Sequence, residues 1–209
     1  MEAIASTPQP GRKVTARPGG LYGAAKRAVD FTGALLGLAL ASPVMLAVAI
    51  AIRLDSPGPA IFRQRRSGRG SYEFVIHKFR TMKTGTPDLA SHLMGPGSSR
   101  VTRLGSFLRR SSLDELPQLW NVLTGDMSLV GPRPALHNQD DLIALRQAHG
   151  VDALKPGLTG WAQIHGRDEL DVEQKTRYDA WYLEHASFRL DLWILLRTVV
   201  ILFSSRGVY

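Results

Sequence analysis

A mostly helical α+β fold carried on a membrane is the class this sequence predicts. Three observations predict it. An uncharged apolar run with a serine–proline pair inside it occupies residues 31–52, a turn-rich middle carries short strand and helix patterns, and residues 188–203 form a second apolar stretch interrupted by charge. In elements, this is a re-entrant membrane helix-break-helix, a small β-hairpin and interfacial amphipathic helices. The expected organisation is a disordered basic tail (1–20), the membrane hairpin (21–54), a cytoplasmic catalytic domain (55–187) and a C-terminal interfacial helix (188–209).

The tail is rich in Pro, Gly, Thr and Ala and has no apolar run. The first hydrophobic stretch begins too far into the chain for a cleavable signal peptide. As a straight helix, residues 31–52 would reach ~33 Å, enough for a bilayer core. Pro43 lies near the middle, removes a backbone donor and clashes with the carbonyl four residues back, so the helix is expected to kink or break at Ser42-Pro43. A neighbouring serine hydroxyl is a suitable partner for the carbonyl so freed. Lys26 and Arg27 precede the run, and Arg53, Arg63, Arg65, Arg66 and Arg69 follow it. Positive charge favours the cytoplasmic side, and an element that enters and returns places both ends there. A spanning helix with a proline kink is the competing reading.

Residues 188–203, FRLDLWILLRTVVILF, carry Arg189, Asp191 and Arg197, which makes spanning costly. Trp193 among leucines with flanking arginines fits a helix in the membrane interface. A core helix of the soluble domain fits the pattern equally.

Between these segments, Asp55-Ser56-Pro57-Gly58-Pro59 is a turn. Residues 60–62 and 72–77 read as short strands joined by the basic RQRRSGRGS, a hairpin. Residues 84–99 form a Gly/Pro/Ser-rich loop. Leu116, Leu119, Trp120 and Leu123 share a helical face, with Gly125 placed to end the helix. Residues 140–149 and 168–185 are further helix candidates, and residues 155–160 a turn-rich connector.

With 209 residues, 44% of them hydrophobic, the chain can build one domain with a real core. A formal charge of +8 asks for an anionic partner: phospholipid, nucleic acid or phosphorylated substrate. Absence of cysteine removes disulfides, thiolate nucleophiles and thiolate metal sites. The six histidines lack zinc-ligand spacing, and neither a P-loop, a GxGxxG fingerprint nor a serine-hydrolase elbow occurs.

The densest chemistry lies in RRSSLDELPQLWNVLTGDMSLVGPRP, which sets Asp114 and Glu115 between arginines. Ser112 and Glu115 also match a capping box, and Pro117 suits a first helical turn. The cap and a chemical role are compatible, because a helix start stabilises negative charge and offers N–H groups to phosphate. Of two adjacent carboxylates, one can attack phosphorus or bind a metal while the other orients it or handles a proton. Arg109, Arg110, Arg133 and Arg167 are candidates to neutralise phosphate, and Lys78 and Arg80 continue the basic line. Mg²⁺ commonly joins such sites through a carboxylate and phosphate oxygens.

Read in order, the Ser42-Pro43 hairpin, DSPGPAIFRQ, KFRTM, LRRSSLDELPQLWNVLTGDMSLVGPRP, KPGLTGWAQIHGR and WYLEHASFRLDLWILLRTV resemble the bacterial sugar transferases, the monotopic phosphoglycosyl transferases, over roughly residues 26–203. The resemblance implies transfer of a sugar-1-phosphate from a UDP-sugar to a polyprenyl (undecaprenyl) phosphate, with UMP released, at the cytoplasmic face of the bacterial inner membrane. Such a step begins exopolysaccharide, O-antigen or glycoprotein glycan assembly. It implies a covalent phosphosugar on Asp114, which also contacts Mg²⁺, and Glu115 as dyad partner. Arg109, Arg133 and Arg167 would bind phosphates, with Lys78 and Arg80 nearby. His165 and the RQRRSGRGS loop depart from the family pattern at places that bear on sugar or nucleotide choice. The chain looks like the minimal catalytic form of the family. The alternative, a membrane-anchored basic module for lipid or nucleic acid without catalysis, is weakened because aromatic residues do not interleave the basic runs.

Overall fold

The computed structural model describes residues 21–86, 100–166 and 169–204. The N-terminal tail, most of the 84–99 loop and Arg167 lie outside the described residues.

The first helix, α1 (Leu21–Asp55), has 35 residues. Helical backbone continues through Pro43, so one continuous helix stands where a helix-break-helix was expected. The carbonyl that Pro43 cannot serve is that of Ala39, and Ser42 Oγ donates to it at 2.8 Å. Both arms of α1 pack against the same folded body. Ala34 and Leu38 join Ile76, Leu119, Val122 and Met127, whereas Met45, Val48, Ala49 and Ile52 join Phe79 and Leu108. Leu116 packs against both clusters. Between the arms Leu40 is 81% exposed, and Phe31, Leu36, Leu46 and Ile50 also stand bare. Such an apolar surface on a long helix marks lipid contact.

The basic residues before the apolar run have structural partners as well. Arg27 donates through Nη1 and Nη2 to the carbonyls of Val122 (2.6 Å) and Leu123 (2.7 Å), at the end of helix α3 (Gln118–Thr124). Lys26 pairs with Asp191 at 2.8 Å, and Asp30 accepts from the Leu129 N–H at 3.0 Å.

The hairpin is longer than its sequence suggests. Strands β1 (Ile61–Ser67) and β2 (Glu73–Phe79) pair antiparallel from Ile61↔Phe79 to Ser67↔Glu73. The RQRRS segment is therefore strand, and the turn shrinks to a 3₁₀ turn at Arg69–Ser71. Then follow α2 (Arg103–Arg110), a 3₁₀ turn (Leu113–Glu115), α3, β3 (Ser128–Val130), α4 (Asp140–Ala148), β4 (Gly157–Thr159), α5 (Trp161–Ile164), α6 (Val172–His185) and α7 (Phe188–Ser204). Strands β3 and β4 pair in parallel. Gly131 and Gly157 permit this approach: a Cβ on Gly157 would lie 2.1 Å from the Gly131 nitrogen.

Trp120 does not join the core as its spacing suggested. It is 53% exposed, while Val122 and Asn121 are buried in its place. Leu116, Leu119 and Leu123 do pack against the core, and the inward face extends through Gln118 and Val122 rather than Trp120. Helix α7 has one face in the core and one exposed apolar face. Ile194 and Asp191 are buried, the latter held by Tyr22 (3.0 Å), Lys26 and Tyr182 (2.6 Å), whereas Leu192, Trp193 and Leu196 are exposed.

Candidate active site

The turn that carries the carboxylate pair is built by an unusual residue. Ser112 takes a left-handed conformation (φ 55°), which costs a non-glycine residue ~1–2 kcal/mol. The chain then winds through Leu113–Glu115, Leu116 and Pro117 into α3. The expected capping box does not form. Ser112 Oγ is buried without a partner, and the Glu115 carboxylate turns to two cations instead. Charge-assisted bonds outweigh a neutral bond to one backbone N–H.

Asp114 and Glu115 are 9% and 8% exposed. Lys78 Nζ, from β2, and Arg133 Nη2, from the Gly131-Pro132-Arg133-Pro134 segment, each lie 3.0 Å from Glu115 Oε1. Asp114 differs: its carboxylate accepts no hydrogen bond among the described residues. Burial, then the neighbouring Glu115 charge, pushes its pKa up, against the pull of Lys78, Arg133 and Arg109. Burial likewise lowers the Lys78 pKa, opposed by Glu115. Arg109, in the last turn of α2, donates from Nε to Thr81 Oγ1 at 2.9 Å, and Asp114 favours its charged form against the effect of burial. Lys78, Arg109 and Arg133 thus converge on the pair.

Arg80 points elsewhere. Its guanidinium donates to the carbonyls of Pro57 (2.7 Å) and Ser56 (2.6 Å) and to Ser56 Oγ (3.0 Å), fastening the turn after α1. His165 stacks on Tyr178 (centroids 5.2 Å apart) and lies tilted against Trp161 (4.2 Å), and its Nδ1–H donates to the Trp161 carbonyl at 2.8 Å.

Several residues that position the site were not singled out in the sequence. Two prolines leave the Gly131–Pro134 region short of donors, so its carbonyls are held from outside. Gly157 N–H bonds Pro132 (2.8 Å), Arg146 Nη1 bonds Arg133 (2.8 Å), Arg66 Nη1 bonds Pro134 (3.1 Å) and Ser67 N–H bonds Ala135 (3.0 Å). Buried Asn121 ties α3 to β2, accepting from His77 N–H at 3.1 Å and donating to the Val75 carbonyl at 2.7 Å.

A buried carboxylate pair under lysine and arginine, on a body whose first helix bares an apolar surface, defines a membrane-associated enzyme with a site for anionic substrates. The chain belongs to the bacterial sugar transferase family, whose model matches residues 21–205. It is 43% identical to the uncharacterized sugar transferase EpsL of Bacillus subtilis (strain 168), over 88% of this chain and 89% of the relative. It is 43% identical to the UDP-glucose:undecaprenyl-phosphate glucose-1-phosphate transferase of Caulobacter vibrioides, over 94% of this chain and 78% of the relative. Its identity to the UDP-N-acetylgalactosamine-undecaprenyl-phosphate N-acetylgalactosaminephosphotransferase of Aeromonas hydrophila is 38%, over 91% of this chain but only 46% of the relative. The match therefore spans less than half of some relatives and most of others. Family membership sets aside the reading of a basic binding module without catalysis.

Proposed function

We propose that the protein transfers a sugar-1-phosphate from a UDP-sugar to a polyprenyl phosphate, giving a polyprenyl diphosphate sugar and UMP. The observation that carries this reading is the asymmetry of the carboxylate pair. Glu115 is held by Lys78 and Arg133, whereas Asp114, beside three cations, accepts no hydrogen bond among the described residues. Names of relatives that act on UDP-sugars and undecaprenyl phosphate support the substrate classes.

In the first half-reaction an Asp114 carboxylate oxygen attacks the sugar-bearing phosphorus of the UDP-sugar. A new O–P bond forms, the bond to the bridging oxygen breaks, and that oxygen leaves with UMP. In the second, a phosphate oxygen of the polyprenyl phosphate attacks the same phosphorus and the Asp114 carboxylate departs. Glu115 orients the site by fixing Lys78 and Arg133, and Arg109 and Arg133 offset charge on the phosphates, with Arg167 a further candidate. Arg80 acts through the turn it fastens. A divalent cation at such a site is commonly held by a carboxylate together with substrate phosphate oxygens. Asp114, buried with uncommitted oxygens, fits that role for Mg²⁺, which would supply charge neutralisation of the diphosphate when bound.

The packing of both arms of α1 on one body supports a re-entrant, monotopic placement at the cytoplasmic face of the inner membrane, with Ser42 and Pro43 between the arms. The test is to incubate purified protein with undecaprenyl phosphate, Mg²⁺ and a panel of UDP-sugars. UMP release with at least one donor is expected. UDP release, or no nucleotide release with any donor, contradicts the proposal.

A further inference from the structure

We propose that the buried Arg146–Asp179 pair is a positioning device that sets Arg133 against Glu115, and so couples helix α6 to the reacting carboxylates. This rests on the transfer reading above. Arg146 lies in α4 and is 9% exposed; Asp179 lies in α6 and is 1% exposed. Arg146 gives both Nε (3.0 Å) and Nη2 (2.6 Å) to Asp179 Oδ2, which fixes the guanidinium plane. Its remaining nitrogen, Nη1, is thereby aimed at the Arg133 carbonyl, 2.8 Å away. From the same residue the side chain reaches Glu115 at 3.0 Å.

The arrangement answers a problem posed by the local sequence. Arg133 is flanked by Pro132 and Pro134, which have no N–H groups to lock the segment into a ladder. Among the described residues that hold these carbonyls, Arg146 bonds that of Arg133 itself, and it is anchored in turn by a buried carboxylate. Burial of a charge pair costs desolvation that an apolar pair of like volume would avoid. A device that fixes the direction of one guanidinium is a use for which that cost is justified.

The test is a double-mutant cycle on single-turnover UMP release by the full chain in detergent or nanodiscs. Arg146→Lys keeps the charge but not the three-way geometry, and Asp179→Asn keeps the shape but not the charge. Each is expected to slow UMP release at least tenfold in the otherwise native protein. In an Arg133→Ala background the same changes are expected to alter the rate less than twofold, because their effect passes through Arg133. A purely structural pair would give the same loss in both backgrounds. Equal loss in the two backgrounds, or native rates for both single variants, overturns the proposal. If Arg146→Lys fails to fold, the Asp179→Asn cycle decides alone, with thermal melting confirming its fold. Wild type that releases no UMP with any donor overturns the transfer reading, and this inference with it.

Discussion

Lys78 Nζ and Glu115 Oε1 stand 3.0 Å apart, one on the second strand of the hairpin and the other on the 3₁₀ turn before α3. Arg133 closes on the same oxygen. One carboxylate oxygen thus joins three chain segments, and the adjacent Asp114 is left free of hydrogen bonds among the described residues.

Glu115→Gln removes the anion shared by Lys78 and Arg133. Breaking a fully buried pair costs ~3–5 kcal/mol. Here the Arg133 side chain is 33% exposed, so a loss of about 2 kcal/mol is expected. Denaturant or thermal unfolding in detergent measures it. An unchanged midpoint would show that the pairs contribute nothing to the fold.

Asp114 makes the opposite prediction. Its pKa is raised in the folded protein, so the folded state binds the proton more tightly and stability contributed by this group falls as pH rises through the ordinary aspartate range. Asp114→Asn is therefore expected to leave stability unchanged or increased at neutral pH while abolishing turnover. The ionised nucleophile is lost as pH falls through the raised pKa. Without Mg²⁺, the titration of Asp114 followed by NMR should lie above the ordinary aspartate range, and Arg109→Met, removing a stabilising cation, should move it higher still. A titration that stays put in Arg109→Met speaks against electrostatic contact between the two.

Arg80 separates a binding role from a structural one. Arg80→Ala leaves the carbonyls of Ser56 and Pro57 without their charged donor. Hydrogen bonds to charged groups contribute ~1.5–3 kcal/mol each, and the expected destabilisation is about 3 kcal/mol. The KM for the sugar nucleotide should change less than twofold in protein that remains folded. A large rise in KM at unchanged stability would return Arg80 to the substrate.

Topology is open to single-cysteine labelling, since the chain has no native cysteine. Ala24→Cys and Tyr72→Cys place exposed thiols in the first turn of α1, ahead of its apolar run, and beyond the end of α1. Labelling of both from the same side of sealed vesicles is expected for the re-entrant placement. Labelling from opposite sides would establish a span.

What the sequence made legible was local. The apolar run, Pro43 and its serine partner, Gly125 as helix stop (φ 99°) and the carboxylate pair between basic residues are all readable within a few neighbours. So was a hairpin near residues 60–77, although its strands run further than turn residues suggested because paired arginines can lie on its exposed edge. The α2 helix was missed, despite Thr102 accepting from the Gly105 N–H as its cap. The parallel β3–β4 pair escaped because three-residue strands show no periodicity. Arg146 and Asp179 escaped because their partnership joins positions 33 residues apart, where neither helical nor strand spacing applies. Trp120 was placed inward by its spacing with Leu116, Leu119 and Leu123, of which the three leucines reach the core and Trp120 does not.

The most direct test of the central claim is to trap the reaction before the acceptor arrives. Protein incubated with Mg²⁺ and a competent UDP-sugar, without polyprenyl phosphate, is quenched and its peptides are sequenced by mass spectrometry. The expected result is a phosphosugar on the peptide containing Asp114, formed with one UMP per protein and absent in Asp114→Asn. UMP release in Asp114→Asn, or an adduct on any other residue, would contradict it.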